Sequence, residues 1–357
     1  MSRFRVSVEP LHDPSAAEAV WRALEPRADG SFFTSWTWIG SWLAATAVTA
    51  RMLTVHDGAT LVAAGLFGCA GRGRLLLHET GNPAWDRLTI EYNDLLVARD
   101  AAADPRPDCL TALAAQPDAR AIELGGVDAR WLDAASAAGL PVRLAQRRPT
   151  FAIQLDAAAA DPDALIDRLG PNTRAALRQT LRRLGPVAGR PAGSLEEAHA
   201  FLDALIELHQ DAWRARGQPG AFADARIRGF HHRMIETGWR AGAVELFAVS
   251  GPGDPFAYLL NFCQGEVVHA YQAGIAGGLP KRLKPGLVAH CVCAGQHAGR
   301  GRRRYDLMAG DARYKRNLGA SAGDLLWLTA YANRSTAAVA GLHRLTRRIT
   351  SRLRRLG

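Results

Sequence analysis

The stretch VVHAYQAGIAGGLPKRLKPGLVAHCVCAGQHAGRGRRRYDLMAGDARYKRNLG, residues 267–319, decides how this chain folds. Its first part, 267–275, is an apolar run rich in β-forming residues and predicts a strand. A cationic loop with several glycines follows at 276–286, and 287–299 has the pattern of a helix. A second short strand is predicted at 305–308, directly before the phrase GDARYK.

This order of elements puts a basic, glycine-rich loop at the beginning of a helix. The first turn of a helix has unpaired backbone N–H groups and the positive end of the helix dipole, so it attracts anions. Gly277 and Gly278 let the backbone approach a ligand closely. The loop therefore predicts a site for a phosphorylated donor, and a surface turn with solubilising lysines is the alternative. The residues assigned to this site are Lys281, Arg282, Lys284 and Gly286.

Length and composition indicate a folded protein of two domains. The chain has 357 residues, of which 48% are hydrophobic and 22% are charged, and this length exceeds one ordinary core. No apolar run approaches the roughly twenty residues that span a bilayer. The N-terminal residues lack the apolar core of a secretory signal. We therefore expect a cytoplasmic protein without a transmembrane segment.

The cysteines and histidines do not indicate a metal site in the sequence. Three of the five cysteines are isolated, and Cys291 and Cys293 point to different faces of the predicted helix. His231 and His232 are adjacent on another predicted helix, so they do not face one another. We expect neither a disulfide framework nor a bound metal.

The net charge of +10 is compatible with a solvated basic surface or with an anionic partner. A nucleotide cofactor, tRNA and an acidic membrane are the partners that such a charge attracts. The C-terminal residues 336–357 predict a basic amphipathic helix, which could lie on an anionic membrane or pack on the core.

The remainder of the chain divides into two α/β halves. Strands and helices alternate in the first half, 1–157, and the stretch DAAAADPDA marks its end. The second half, 158–335, has helices, then three strands in series, then the loop, helix and strand described above.

Several phrases resemble the GNAT acyltransferase superfamily. They are similar to the double-GNAT group that includes CelD-like proteins and, more distantly, Fem-type aminoacyl transferases. The phrases are FFTSWTWIGSW, NTRAALRQTLRRL, LHQDAWRARGQPGAF, and KPGLVAH followed by YDLMAGDARYKRNLG. The resemblance runs from about Phe32 to Tyr331 and implies an α/β fold. It implies two tandem GNAT-like domains, each a mixed, mostly antiparallel sheet flanked by helices.

The resemblance also implies a reaction. An acyl group would pass directly from acyl-CoA, with acetyl-CoA as the expected co-substrate, to an amine of a small molecule or peptide. The GNAT pyrophosphate motif Q/R-x-x-G-x-G/A is replaced by GGLPKRLKPG, so aminoacyl-tRNA is an alternative donor. A non-catalytic accessory role in envelope polysaccharide or lipid biosynthesis is a third alternative.

The catalytic candidates lie in and after the second predicted strand. An unpaired charge is costly in a buried strand, so Asp306 is either a base for the acceptor amine or part of a structural salt bridge. A lysine in a comparable phrase of Fem-type enzymes is assigned an oxyanion-stabilising role, which the resemblance carries onto Lys315. Asp311 and Tyr314 complete this group.

The substrate candidates come from both halves. GNAT donors bond to the backbone at the end of the strand before the anion loop, which assigns Gln272 to the donor and Tyr271 to the substrate. Asn93 and Asp94 are expected to face a cleft between the domains. Trp213 and Arg214 are the candidates from the long helix, and core packing would also explain Trp213.

Overall fold

The computed structural model describes residues 4–278, 280 and 282–342. Within these ranges, none of the helices combines the length and the apolar character that crossing a membrane requires. Of the predicted basic helix at 336–357, only residues 336–342 are described, and they are helical.

The chain forms two compact units. Unit 1 contains the residues up to Arg147 and those from Leu325 onward, and unit 2 contains Arg148–Asp324. Both boundaries fall inside a strand, because the chain passes from one unit to the other without a break in β-structure. Residues 325–335, which the sequence places in the second domain, therefore cluster with unit 1.

Unit 1 has a mostly antiparallel sheet with helices around it. The elements, in chain order, are β1 Arg5–Pro10, α1 Pro14–Leu24, α2 Trp36–Thr46, β2 Ala50–Asp57, β3 Thr60–Ala70, β4 Arg74–Leu77, β5 Leu96–Val97, α3 Arg106–Ala114, β6 Ala121–Val127, α4 Arg130–Ala137, the first part of β7 Val142–Gln154 and the last part of β13 Ala320–Tyr331. The strand order is β1-β2-β3-β4-β6-β13, with the short β5 beside β3.

Local sequence explains the helices of unit 1. The Asp13 carboxylate accepts a hydrogen bond from the backbone N–H of Ser15, and Pro14 occupies the first turn of α1. The Ser35 hydroxyl caps α2 in the same way. Trp21 of α1 and Trp38 of α2 are buried, and their rings contact Trp36 and Phe33, so aromatic packing helps to hold these helices.

The elements of unit 2 are α5 Pro162–Asp167, α6 Pro171–Leu184, β8 Ala188–Pro191, α7 Leu195–Arg214, α8 Ala225–Gly238, β9 Val244–Ser250, β10 Pro255–Gln264, β11 Val267–Ile275, α9 Pro285–Gly299, β12 Arg304–Ala309, α10 Arg313–Leu318 and β13 Ala320–Tyr331, of which the last passes into unit 1. The strands of unit 2 are mostly antiparallel and follow the order β8-β9-β10-β11-β12-β7.

The core of unit 2 forms around α9 and the sheet. Eleven residues of α9 are buried, from Leu287 to Ala298, so this helix is apolar on nearly all sides. Helix α7 packs on β10 and β11. This packing requires Gly274, because a Cβ there would lie 2.4 Å from the backbone oxygen of Leu205. The predicted class of mixed, mostly antiparallel sheets flanked by helices is confirmed.

Candidate active site

The parallel strands β11 and β12 separate in the middle of unit 2. Their pairing covers three positions and ends at His269 opposite Asp306. Strand β11 continues beside β10 to Ile275, and Tyr271 is an extra residue in this ladder, because Leu260 pairs with Gln272 and Asn261 pairs with Ala270. A bulge of this kind bends its strand.

Strand β12 turns at Met308, where φ is 67°. A left-handed conformation is rare for residues other than glycine, so the surrounding structure must hold it. The Asp306 carboxylate helps to hold this conformation, since it accepts a hydrogen bond of 2.7 Å from the backbone N–H of Met308. The bulge in one strand and the turn in the other leave an opening between them.

A pocket of about 500 Å³ lies along β11 beyond the point where its pairing with β12 ends. Its wall comes from the end of α7, from β11 beyond His269, from the beginning of α9 and from α10. The lining residues are His209, Ala212, Trp213, Arg216, Ala270, Tyr271, Gln272, Ala273, Ile275, Leu283, Lys284, Pro285, Gly286, Leu287, His290 and Tyr314.

Several residues that the sequence predicts for the site meet in this pocket. They are Trp213, Tyr271, Gln272, Lys284, Gly286 and Tyr314. The exposed Arg282 is not among the lining residues, and Lys281 lies outside the described residues. Arg214 is exposed and forms an ion pair with Asp211 on the same helix. Its neighbour Arg216 contributes the guanidinium to the wall, with Cζ 5.6 Å from the centre of the Trp213 ring.

His290 is a pocket residue that the sequence does not predict. Its ring is mostly buried and stacks on Tyr314 with 5.8 Å between ring centres. Its Nδ1 lies 3.0 Å from the hydroxyl of Tyr305. Burial and then the charge of Lys315 lower the pKa of His290 from 6.5 to about 4, so the ring is neutral at pH 7. Helical spacing could have found it, because His290 is four residues after Gly286 and shares its face.

Lys315 holds the end of β12. Its side chain is 8% exposed, and its ammonium donates to the backbone oxygens of Met308 at 3.2 Å and Ala309 at 2.6 Å. Lys315 does not line the pocket, but its charge acts on His290, which does. The Lys315 ammonium can therefore influence groups in the pocket electrostatically without lining it.

The two aspartates occupy different surroundings. Asp306 is fully buried, and its Oδ2 accepts two hydrogen bonds from the guanidinium of Arg304, at 3.0 and 2.5 Å. This geometry favours the structural salt bridge over a base that touches the acceptor. Asp311 is exposed and forms an ion pair with Arg316. Neither aspartate lines the pocket.

A second pocket of about 540 Å³ adjoins the first and shares Lys284, Leu287 and Tyr314 with it. Residues from the beginning of α6 and the side chain of Arg313 complete its wall. Helices α6 and α9 both begin with proline and have no side-chain cap, so both have backbone N–H groups for a ligand at this place.

The charges around the pockets favour an anionic ligand. Arg216, Lys284 and Arg313 contribute positive groups. No carboxylate occurs among the described residues that line either pocket. A wall with cations of one sign raises the local concentration of anions.

Asn93 and Asp94 lie in unit 1 and are held by that unit's own residues. The Asn93 amide donates to the backbone oxygens of Leu77 at 2.9 Å and Gly125 at 3.1 Å, and its oxygen lies 2.8 Å from Nδ1 of His78. Asp94 forms a 2.5 Å ion pair with the buried Arg106. A role in substrate binding for either residue remains a prediction.

Comparisons with known proteins agree with this architecture. Residues 171–316 match the family model described as acetyltransferase (GNAT) domain. Comparison with curated protein sequences gives no significant match.

Solved structures show where the fold recurs. FemX superposes with a TM-score of 0.56 at 12% identity, over 89% of this chain and 96% of FemX. The C-terminal domain of a putative lysylphosphatidylglycerol synthetase from Agrobacterium fabrum has a TM-score of 0.54 at 12% identity, over 92% and 96%. A tandem GNAT protein from the clavulanic acid biosynthesis pathway has a TM-score of 0.50 at 13% identity, over 92% and 99%. The predicted double-GNAT fold is thereby confirmed.

Proposed function

We propose that this protein is an N-acyltransferase that passes the acyl group of acyl-CoA directly to an amine in the pocket of unit 2. The observation that carries the proposal is the separation of β11 and β12, which opens the pocket beside the beginning of α9. The GNAT fold generally uses acyl-CoA as co-substrate, and acetyl-CoA is the expected form.

The shape and charge of the pocket suit this donor. The pantetheine arm of CoA is an extended chain with two amides, so it can lie along β11 as an added strand beyond His269. Gln272 and the bulge at Tyr271 lie along that path. The diphosphate would reach Lys284 and the uncapped beginning of α9.

The acceptor amine must lose its proton before it attacks. The positive charges of Lys284, Arg216 and Lys315 disfavour an ammonium ion in the pocket and so lower the pKa of a bound amine. The proton can therefore leave to solvent without a carboxylate in the wall. The neutral ring of His290 orients the amine by a hydrogen bond.

The chemical step forms a C–N bond and breaks the C–S bond of the thioester. The developing oxyanion is stabilised by backbone N–H groups at the β11 bulge and by the field of Lys315. Tyr314 lies on the pocket wall, and its hydroxyl gives a proton to the departing thiolate. The nitrogen of the tetrahedral intermediate releases its extra proton to solvent, and Tyr314 regains a proton from solvent, so the step balances.

An aminoacyl-tRNA donor is the second candidate, and the adjoining pocket favours it. The beginnings of α6 and α9 meet there with Lys284 and Arg313, which suits the phosphates of a nucleotide end. FemX and the lysylphosphatidylglycerol synthetase domain have the same fold, and the net charge of +10 attracts nucleic acid.

Donor binding tests the proposal, measured by calorimetry and thermal shift on the full chain. Ala212 lies on the pocket wall near the end of α7, and the exposed Ala215 follows that helix. We expect Ala212→Trp to abolish acetyl-CoA binding by filling the pocket, and Ala215→Trp to bind as the wild type does. Equal binding by both variants would contradict the proposed donor site.

The alternatives give different responses. Binding to charged tRNA that weakens as salt rises, with no response to acetyl-CoA, would favour the second candidate. Association with anionic vesicles that requires residues 336–357, with no response to either donor, would favour the accessory role.

A further inference from the structure

Three potential metal ligands meet inside unit 2, away from the pocket walls. Cys293 and His297 are four residues apart on α9, so they share a helix face, and Glu245 of β9 lies opposite them. One ligand atom from each residue lies within 4.8 Å of the other two. Cys293 is 0% exposed and His297 is 1% exposed, so solvent does not satisfy their polar atoms.

The imidazole and the carboxylate lie within ion-pair distance of each other but not in hydrogen-bond geometry. Nε2 of His297 lies 3.0 Å from Oε1 of Glu245. Neither atom, however, has a partner in hydrogen-bond geometry among the described residues, and the same holds for Nδ1 of His297. A buried polar group without a partner is rare in a native protein and calls for an explanation. A cation between the two atoms would supply one.

The neighbouring side chains orient the cluster. Arg300 donates to Oε2 of Glu245 at 2.5 Å, which leaves Oε1 directed at the imidazole. The Asn261 amide donates to Sγ of Cys293 at 3.3 Å, an arrangement that suits a thiolate acceptor. Such outer hydrogen bonds are what fixes ligands around a metal.

We propose that Glu245, Cys293 and His297 form a binding site for a divalent transition-metal cation of the zinc type. Carboxylate, thiolate and imidazole are the ligands that zinc takes in proteins. With bonds of about 2.0–2.3 Å, a tetrahedral zinc keeps its ligand atoms roughly 3.3–3.8 Å apart, so the cluster needs only small adjustments. Binding displaces the thiol proton of Cys293 to solvent.

The fourth position has a candidate within the chain. Asn261 of β10 pairs with Glu245 across the ladder, and Cys263 is two residues further along β10, so its side chain lies on the same face of the sheet as that of Glu245. Cys263 belongs to β10, next to β9 in the sheet. Either this thiol or a water completes the shell.

The site would connect α9 to the sheet. Its ligands come from β9 and from the second half of α9, while the first residues of α9 line the donor pocket. Sequence spacing did not reveal it, because only two ligands are near in sequence and the third comes from a strand. The inference does not depend on the proposed acyl transfer.

Metal content and cobalt spectroscopy test the site on untagged full-length protein. We expect one zinc per chain by elemental analysis, and a sulfur-to-cobalt charge-transfer band after exchange with Co²⁺. Cys293→Ser should remove the band, and His297→Gln and Glu245→Gln should each weaken zinc affinity at least tenfold. Cys291→Ser is the matched control, since Cys291 is buried on the same helix outside the cluster and its loss should leave band and affinity unchanged.

Three outcomes would overturn the inference. They are a wild-type chain that takes up neither zinc nor cobalt, a cobalt band that survives Cys293→Ser, and a zinc content unchanged in all three cluster variants. Should Cys293→Ser fail to fold, the zinc affinities of the His297 and Glu245 variants decide alone. Circular dichroism of the metal-free variants shows whether each has folded.

Discussion

Units 1 and 2 have the same sheet plan but differ where their parallel strands end. Each unit contains a parallel pair of strands that covers three positions, β4 with β6 in unit 1 and β11 with β12 in unit 2. In unit 2 the strands separate beside a pocket. In unit 1 the Asn93 side chain bonds to Leu77, which ends β4, and to Gly125 of β6.

This difference shows how one fold yields a scaffold or a site. Strands β4 and β6 diverge, and the Asn93 amide donates hydrogen bonds to the backbone oxygens of Leu77 and Gly125 at this point. Nδ1 of His78 lies 2.8 Å from the amide oxygen and holds the amide in this orientation. In unit 2 the ammonium of Lys315 donates hydrogen bonds to two backbone oxygens at the end of one strand, β12. The gap beside β11 therefore remains available to a ligand.

Lowering the pH should give the largest difference in folding stability between the two units. Burial lowers the pKa of His78 in unit 1, and of His231, His269 and His290 in unit 2, from 6.5 to about 4. Unfolded histidine binds a proton near pH 6.5 and the folded form does not, so stability is complete above pH 6.5 and is lost as pH falls towards 4. Each such group accounts for about 3 kcal/mol at most, at 1.36 kcal/mol per pKa unit.

Unit 2 should therefore lose more stability than unit 1 between pH 6.5 and 4. Hydrogen exchange followed by mass spectrometry, corrected for intrinsic rates, can compare β10 and β11 with β2 and β3. His12→Gln at an exposed position is the control and should change neither unit. Equal loss of protection in both units would contradict the expected difference in acid stability between them.

Replacement of Lys315 should have the next largest effect. Without the ammonium, the oxyanion loses its electrostatic support, and we expect Lys315→Ala to lower kcat about 100-fold or more while the Kd of the donor stays unchanged. The unpaired oxygens of Met308 and Ala309 should also cost unit 2 about 1–3 kcal/mol of stability. Steady-state kinetics and donor calorimetry at a temperature where the variant is folded measure both effects.

Arg316→Ala is the control for this change, since Arg316 is the next residue and its exposed side chain bonds to Asp311, outside the pocket walls. Its rate should match the wild type. If the rate of Lys315→Ala also matched the wild type, Lys315 would have a purely structural role like that of Asn93.

Removal of the Asn93 amide should destabilise unit 1 and leave donor binding intact. Asn93→Ala leaves two backbone oxygens and Nδ1 of His78 without their partner, and we expect a loss of roughly 2–4 kcal/mol in urea unfolding. Asn82→Ala, in an exposed loop, should have little effect. A normal stability with a raised KM for the amine would instead support the role in substrate binding that the sequence predicts.

The sequence predicts the elements around the site well, because local patterns determine them. The strand predicted at 267–275 coincides with β11, and the helix predicted at 287–299 lies within α9, which begins two residues earlier at Pro285. The salt bridge of Asp306 was one of two predicted alternatives, and its partner Arg304 is two residues away on the same strand face.

Features that depend on several elements could not be predicted. The bulge at Tyr271 arises from pairing with β10, and the turn at Met308 depends on hydrogen bonds with Asp306. The contacts of Asn93 join three separate segments of unit 1. Sequence spacing carries no signal for such contacts, since residues far apart in the chain create them.

The smallest expected effect concerns the arginines that flank the open gap. Arg216 lines the pocket of unit 2, and Arg214 is on the same turn but points into an ion pair with Asp211. Since Arg216 is exposed, we expect Arg216→Ala to weaken acetyl-CoA binding only about fivefold, and less at high salt, where its charge is screened. Calorimetry at two salt concentrations measures the change.

Two control variants test whether this small loss of affinity is specific to the pocket of unit 2. Arg214→Ala removes the same charge beside the pocket, and Arg120→Ala removes a cation from a separate pocket of about 1020 Å³ in unit 1. Both should bind acetyl-CoA as the wild type does. A loss of affinity in Arg120→Ala without one in Arg216→Ala would place the donor in unit 1, and the bridged gap at Asn93 would then no longer distinguish the scaffold from the site.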